Sequence, residues 1–503
     1  MNNFDIVIIG SGMGGLACGD ILSREGYRIC VLEKNKQLGG CLQTFVRNKV
    51  IFDSGVHYIG SLAKGQTLYQ IFKYLGLMDA LKLEKMDEDG FDKIIVSGDE
   101  KEYVFAQGYE NFINRLSGDF PGEENTIRKY CEKIKEVCGK FPMYNLRTGG
   151  EYREKEDVIG IDTKTFIESL TNNKKLQAVL VGNNILYAGQ AHKTPFYIHA
   201  LILNSYIESS WKCVDGGSQI AKIMAKNIRH HGGIVKAHCE VKKIMDENGK
   251  ISYVELADGS RVYAKFFISD IHPAKTMEIT ESGLIKNAYR NRIKNLENSI
   301  SSFSLNIVFR KNTFKYSRQN YYYHKDGYIW TMADYTQENW PLGYAIFFPA
   351  SSGSKEYAEG MTIFTYMKYE EVAQWTTSFN TVSVKEDRGN SYEAFKKKKA
   401  EKLLDTVEEK FPGIRNCIRE YYTSTPLSYR DYIGSDDGSM YGIVKDYKDP
   451  YKTLIPARTK LPNLYLTGQN LNLHGILGSA ISSLVTCATF LGNEDFIEKI
   501  KNA

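Results

Sequence analysis

Asp5-Ile6-Val7-Ile8-Ile9-Gly10-Ser11-Gly12-Met13-Gly14-Gly15 is the stretch that decides the fold. Its first five residues are almost wholly apolar and β-branched, as a strand buried on both faces requires. The chain breaks at Gly10 and resumes with Leu16-Ala17-Cys18-Gly19-Asp20-Ile21-Leu22 at helical spacing. A second strand is expected at Tyr27–Leu32, ending on Glu33. The result is G-x-G-x-x-G between strand and helix, with an acid about twenty residues on, the arrangement that holds a dinucleotide. Gly10 permits the tight turn, Gly12 lets backbone approach a pyrophosphate, and Gly15 lets the helix pack against the strand. The helix N-terminus then turns unpaired N–H groups and a positive dipole end to the phosphates. Glu33 is placed to accept from the adenosine ribose.

Two further features choose between dinucleotides. Gly39-Gly40, just past the second strand, lets backbone wrap a ligand more extended than NAD. Near the other chain end, Asn463–Thr467 reads as a strand running into Gly468-Gln469-Asn470. It leads to His474-Gly475-x-x-Gly478 and a long apolar helix, a second helix N-terminus able to face a ligand. One nucleotide sandwiched by both chain ends points to FAD.

Working outward, 503 residues are too many for one compact core, and two intimately joined domains are expected. A net charge of +5 over that length does not suggest a nucleic-acid partner. The nine cysteines are scattered without C-x-x-C spacing, which argues against a zinc site or a disulfide framework and for a reducing compartment. No metal site is expected. The N-terminus lacks a signal-peptide pattern, and Gly475–Gly492 carries too many Ser and Thr for a spanning helix, so a buried helix in a cytoplasmic protein is expected.

Taken together, Gly10–Gly15, Glu33, Gly39-Gly40, Phe52-Asp53-x-Gly55-x-His57-Tyr58-Ile59-Gly60 and Leu466-Thr467-Gly468-Gln469…Gly475-x-x-Gly478 resemble the phytoene desaturase/carotenoid isomerase branch of FAD oxidoreductases. Within it, the likeness is strongest to the all-trans-retinol 13,14-reductase (retinol saturase) group. It extends through His199–Asn204, Gly216-Gly217-Ser218, Asn320–Tyr322 and Thr425-Pro426-Leu427, so it spans essentially the whole chain.

The resemblance implies an α/β fold: an FAD-binding Rossmann-like domain of the glutathione reductase type, interleaved with an α+β substrate domain. The expected division is 1–75, 206–275 and 455–503 for FAD, and 76–205 with 276–454 for substrate. Val241 would place its backbone against the adenine. The implied activity is reduction of a carbon–carbon double bond of a hydrophobic polyene or isoprenoid. Desaturation or isomerisation is the alternative, and a non-catalytic flavin-containing binding protein is a reading from another class. NAD(P)H would serve only as a transient reductant, because one fingerprint is present; an electron-transfer protein or quinone is an equal candidate. The animal saturases carry an N-terminal membrane-directing segment that this chain does not show, so only peripheral membrane contact is expected.

His57 and His474 stand inside the flavin-contacting motifs and are the candidates to orient substrate or flavin, or to relay a proton. His199 reads as structural. Tyr321–Tyr323 and Phe303–Phe309 suit strands of a sheet forming one wall of an apolar cavity. Ala178–Leu186 and Phe196–Ile207 are apolar enough to line a substrate entrance. Lys396–Lys399 with Lys402 reads as the solvated face of a helix.

Overall fold

The computed structural model describes residues 4–148, 152–353, 355–492 and 494–503. Its first strand is Phe4–Ile9, followed by a helix at Met13–Arg24 and a strand at Ile29–Leu32. These lie at the centre of an eight-stranded sheet. Five strands run parallel in the spatial order Ile234–Lys236, Ile29–Leu32, Phe4–Ile9, Arg261–Ser269 and Leu464–Leu466. Val7, Ile8, Cys30 and Val31 have no solvent exposure, because helices cover one face of this layer and the antiparallel strands Val241–Glu247 and Lys250–Leu256, with the helix Pro273–Ile279, cover the other. Arg261–Ser269 serves two layers. Its first half pairs antiparallel with Lys250–Leu256, turning at Asp258-Gly259, and its last three residues pair with Leu464–Leu466. The two chain ends are thereby joined through one strand.

Small residues set the spacing of the helices. Met13–Arg24 is buried from Met13 through Ser23, and a Cβ on Gly19 would meet Ile228 Cδ1 at 2.8 Å. That helix therefore lies close against Ser218–His230, whose Ile220, Met224 and Ile228 are buried. The apolar stretch near the C-terminus is a helix, Gly475–Leu491, buried along most of its length. Among the described residues no helix is long and apolar enough to cross a membrane.

A second, seven-stranded sheet has the order Ile418–Ser424, Ser301–Phe309, Gly360–Met367, Gly343–Phe347, Asn320–His324, Asp92–Val96 and Glu102–Phe105. The tyrosine- and phenylalanine-rich stretches are strands here, as expected. They do not themselves face the cavity, however: Phe347 and Phe364, from the two strands between them, do so. The helix Gly389–Lys410 also corrects the sequence reading. Lys399 is buried, ion-paired to Glu371 at 2.5 Å and seated over the Trp340 ring at 4.3 Å. Its aliphatic stem and charge are both used inside the fold.

Candidate functional site

One cavity of about 620 Å³ runs between the two sheets. At one end it is walled by Gly10, Gly12, Glu33, Gly39, Gly40, Val241 and Asp270. At the other it is walled by Leu68, Ile185, Leu201, Ile202, Tyr206, Phe347, Phe364 and Tyr441. Gln469, His474, Gly475 and Gly478 line it from the C-terminal segment, and His57 from the Phe52–Gly60 motif.

The first end is a cradle built for close backbone approach. Gly10 has φ +95° and Gly39 φ +113°, conformations an L side chain resists. Ser11, which the motif reading passed over, ties the cradle together. It donates through N (3.0 Å) and Oγ (2.6 Å) to Glu33 Oε2, and Oγ accepts from Gly39 N at 3.1 Å. Asn35 N donates to the other Glu33 oxygen at 2.8 Å. Glu33 thus organises the turn as well as facing the cavity. Gly15 and Gly468 do not line the cavity. A Cβ on Gly15 would press on Gly10 O, so its smallness serves helix–strand packing, while Gly468 (φ +93°) closes over Asp270. The helix Met13–Arg24 begins at Gly12 with no side-chain cap, leaving N–H groups of its first turn for other acceptors. A dinucleotide's phosphates fit this donor set.

The other end is neutral. The lining residues that carry charge (Glu33, Lys34, Glu240, Asp270, Lys275, Arg430 and Asp436) come from segments that meet at the cradle end. There Lys34 Nζ donates to Asp431 O at 2.9 Å and Asn35 Nδ2 to Tyr432 O at 2.8 Å. In the chamber, His57 stacks on Phe347 with ring centroids 4.3 Å apart, and burial lowers its pKa to about 4. His474 packs against Tyr441 at 4.5 Å and donates Nε2–H to Leu186 O at 2.9 Å. Burial lowers it to about 4 as well, so both imidazoles are neutral at pH 7. His199 is enclosed between Tyr130 (2.6 Å) and Tyr187 (2.8 Å), consistent with a structural role.

Behind the chamber wall lies a buried polar network that no local motif announced. Tyr58 Oη donates to Asp92 Oδ2 at 3.0 Å and meets Tyr322 Oη at 2.8 Å, while Asn320 Nδ2 donates to Asp92 Oδ1 at 3.0 Å. Burial pushes Asp92 up to about 7 against the pull of these donors. Lys212, equally buried, donates to Phe348 O at 3.1 Å and is pushed down to about 7. A carboxyl whose pKa is raised in the fold stabilises it most at low pH, and that contribution is lost as pH rises from about 4 through about 7. The stability advantage of the wild type over Asp92→Asn is therefore expected to shrink by about 1.4 kcal/mol per pH unit across that window. Urea unfolding of both proteins at pH 5, 6, 7 and 8 measures it, and a difference independent of pH would refute a protonated Asp92.

Comparison with known proteins agrees with this geometry. Residues 8–75 match the NAD(P)-binding Rossmann-like domain family. The all-trans-retinol 13,14-reductase of Danio rerio is 27% identical over 98% of this chain and 86% of that protein. The chloroplastic prolycopene isomerase of Daucus carota is 24% identical over 87% of this chain and 72% of that protein. Over nearly its whole length the chain is thus similar to all-trans-retinol 13,14-reductases, and over most of it to a carotenoid isomerase. A putrescine oxidase variant shares the fold at a TM-score of 0.64, with 13% identity, over 98% of this chain and 99% of that one. The chain therefore combines, in one cavity, a glycine-lined cradle with a largely apolar chamber.

Proposed function

We propose that the chain binds FAD along the cradle and reduces one carbon–carbon double bond of an uncharged, hydrophobic polyene in the chamber. The observation that carries this reading is the single cavity that joins the phosphate-binding turns to an apolar, neutral wall. When bound, the flavin supplies hydride to carbon. The protein's residues do the rest. Gly10, Gly12, Glu33, Gly39, Gly40, Gln469, Gly475 and Gly478 hold the cofactor, with the Val241 backbone beside its adenine. Leu201, Ile202, Phe347 and Phe364 exclude water and hold the polyene flat.

His57 and His474 act as orienting groups. The Nε2–H of His474 is committed to Leu186 O, and its Nδ1 can only accept in the neutral ring. The accompanying proton is held at the Asp92 carboxyl: once protonated, Asp92 donates its O–H to the Tyr58 oxygen across the same contact, and Tyr58, which lines the cavity, gives its own proton to the chamber. Segments 1–75, 206–275 and 455–503 form the cofactor domain in this reading, and the remainder forms the substrate domain. NAD(P)H serves as a transient reductant. Exposed Phe379, Val382 and Val384, beside cavity-lining Thr377 and Ser378, suit peripheral contact with a membrane that delivers an insoluble substrate.

The test is anaerobic. FAD-loaded enzyme is photoreduced, mixed with an isoprenoid polyene, and followed at the flavin absorbance while products are weighed by mass spectrometry. Reoxidation with a product heavier by two hydrogens is expected. Unchanged reduced flavin would identify a binding protein instead, and isomerised polyene without net reoxidation would identify an isomerase.

A further inference from the structure

The strand Arg261–Ser269 ends at Asp270, whose carboxyl lies within the phosphate cradle. The backbone N–H groups of Gly12 and Gly15 turn toward it. A Cβ on Gly14 would come within 2.6 Å of Asp270 Oδ1, and one on Gly12 or Gly468 would strike its oxygens. Since the helix Met13–Arg24 has glycine at its N-cap, Asp270 supplies from another strand the acceptor that Ser or Asp at the cap ordinarily provides. The acid therefore holds donors of the same turn that a diphosphate would use.

The groups facing Asp270 give it little compensation. Glu33, at the end of Ile29–Leu32 on the far side of Phe4–Ile9, adds a second negative charge. Cys41, from the turn Gly40–Leu42, is a thiol pushed up to about 11 by burial and by Asp270 itself. The C-terminal segment presents Gly468 and neutral Gln469. On its own segment, His272 is shifted down by burial, and Lys275 is paired with Glu278 at 3.1 Å. A diphosphate entering here meets two carboxylates with no cation set between them.

We infer that dinucleotide binding is coupled to uptake of one proton at Asp270, whose carboxylate becomes a carboxyl as the diphosphate enters. This rests on the FAD reading. One proton is taken from solvent per cofactor bound; no other bond is made or broken. Protonation removes one repulsive charge and adds an O–H donor. Burial has already raised Asp270 to about 7 in the protein alone, so neutral pH is where the coupling operates. By linkage, affinity must then fall as pH rises above that value.

FAD-stripped protein titrated with FAD between pH 6 and 9, followed by flavin fluorescence, tests the coupling. Calorimetry at pH 8 in two buffers of different ionisation heat counts the protons. For the wild type, Kd is expected to be level near pH 6 and to rise up to tenfold per pH unit above about pH 7.5, with close to one proton taken up per FAD at pH 8. Asp270→Asn, which keeps shape and acceptor, is expected to bind with a Kd level across the range and no proton uptake. A wild-type Kd constant within twofold, without proton uptake, overturns the inference, as does an Asn variant that keeps the wild-type slope. The proton count on the wild type decides the matter even if the variant does not fold. Failure of the wild type to bind FAD at any pH would reject the FAD reading itself, and this inference with it.

Discussion

Gly14→Val is expected to yield no folded, cofactor-retaining protein. Gly14 sits in the first turn of the fingerprint helix, and a Cβ there would lie 2.8 Å from both Gly468 Cα and Gly468 N. Those atoms are backbone from the opposite end of the chain, so no rotamer change relieves the clash. Overpacking that side chains can absorb costs about 1–3 kcal/mol, and this contact offers them nothing to absorb it with. The loss should exceed that range, a large share of the ordinary stability of a folded domain. Because the same contact aligns the fingerprint with the Gly468–Gly478 segment, FAD retention should disappear with it. Gly118→Ala is the matched control: Gly118 lies in the helix Tyr109–Asp119, a Cβ there meets nothing within 4 Å, and alanine should raise stability by up to about 1 kcal/mol. Thermal melts and the flavin absorbance of purified protein report both. A Gly14→Val protein with wild-type melting and flavin content would mean that the two chain ends are not in register as described.

The cradle was legible in the sequence because its parts are local: a strand, a glycine turn, a helix and an acid follow one another within residues 5–33, and each answers a backbone requirement that residue type reveals. Gly468–Gly478 was legible for the same reason. Asp92 was not. Its partners come from positions 58, 183 and 320, three separate stretches of chain, the last brought to it by the parallel pairing of Asp92–Val96 with Asn320–His324. Asp270 stood in view as the last residue of a return strand, but nothing local says that a strand's end will fall beneath another strand's helix. Lys399 shows the converse error. Four consecutive lysines read as a solvated face, yet a helix turns each to a different direction, and the fourth meets Glu371 and Trp340. The cavity wall was assigned to the right sheet and to the wrong strands, since aromatic content marks burial without saying which side of a sheet a ligand occupies.

An uncharged polyene should be turned over far better than the same chain ending in a carboxylate. At pH 7 the residues lining the chamber offer no compensating charge, and Lys445, which acts on His474 from outside the lining, is already donating to the carbonyls of Thr453, Asn470 and Leu471. Its histidines are held neutral by burial, with His57 and His474 both lowered to about 4. Its tyrosines stay protonated, Tyr429 being pushed up to about 12 and Tyr441 well above the usual phenol value. Lys212, the nearest buried amine to His57 that acts on its charge, already donates to the carbonyls of Phe348 (3.1 Å) and Ser317 (3.4 Å), and it does not line the cavity. A carboxylate carried into such a place loses its hydration without gaining an ion pair, at a cost of several kcal/mol. About 4 kcal/mol corresponds to a factor near 10³, so kcat/KM for the carboxylate is expected to fall by at least that much. Anaerobic stopped-flow of reduced enzyme against the two substrates, matched in chain length, gives the ratio directly. A ratio within tenfold would place the polar end of the substrate at the charged cradle side rather than in the chamber, and the orientation proposed for the polyene would have to be reversed.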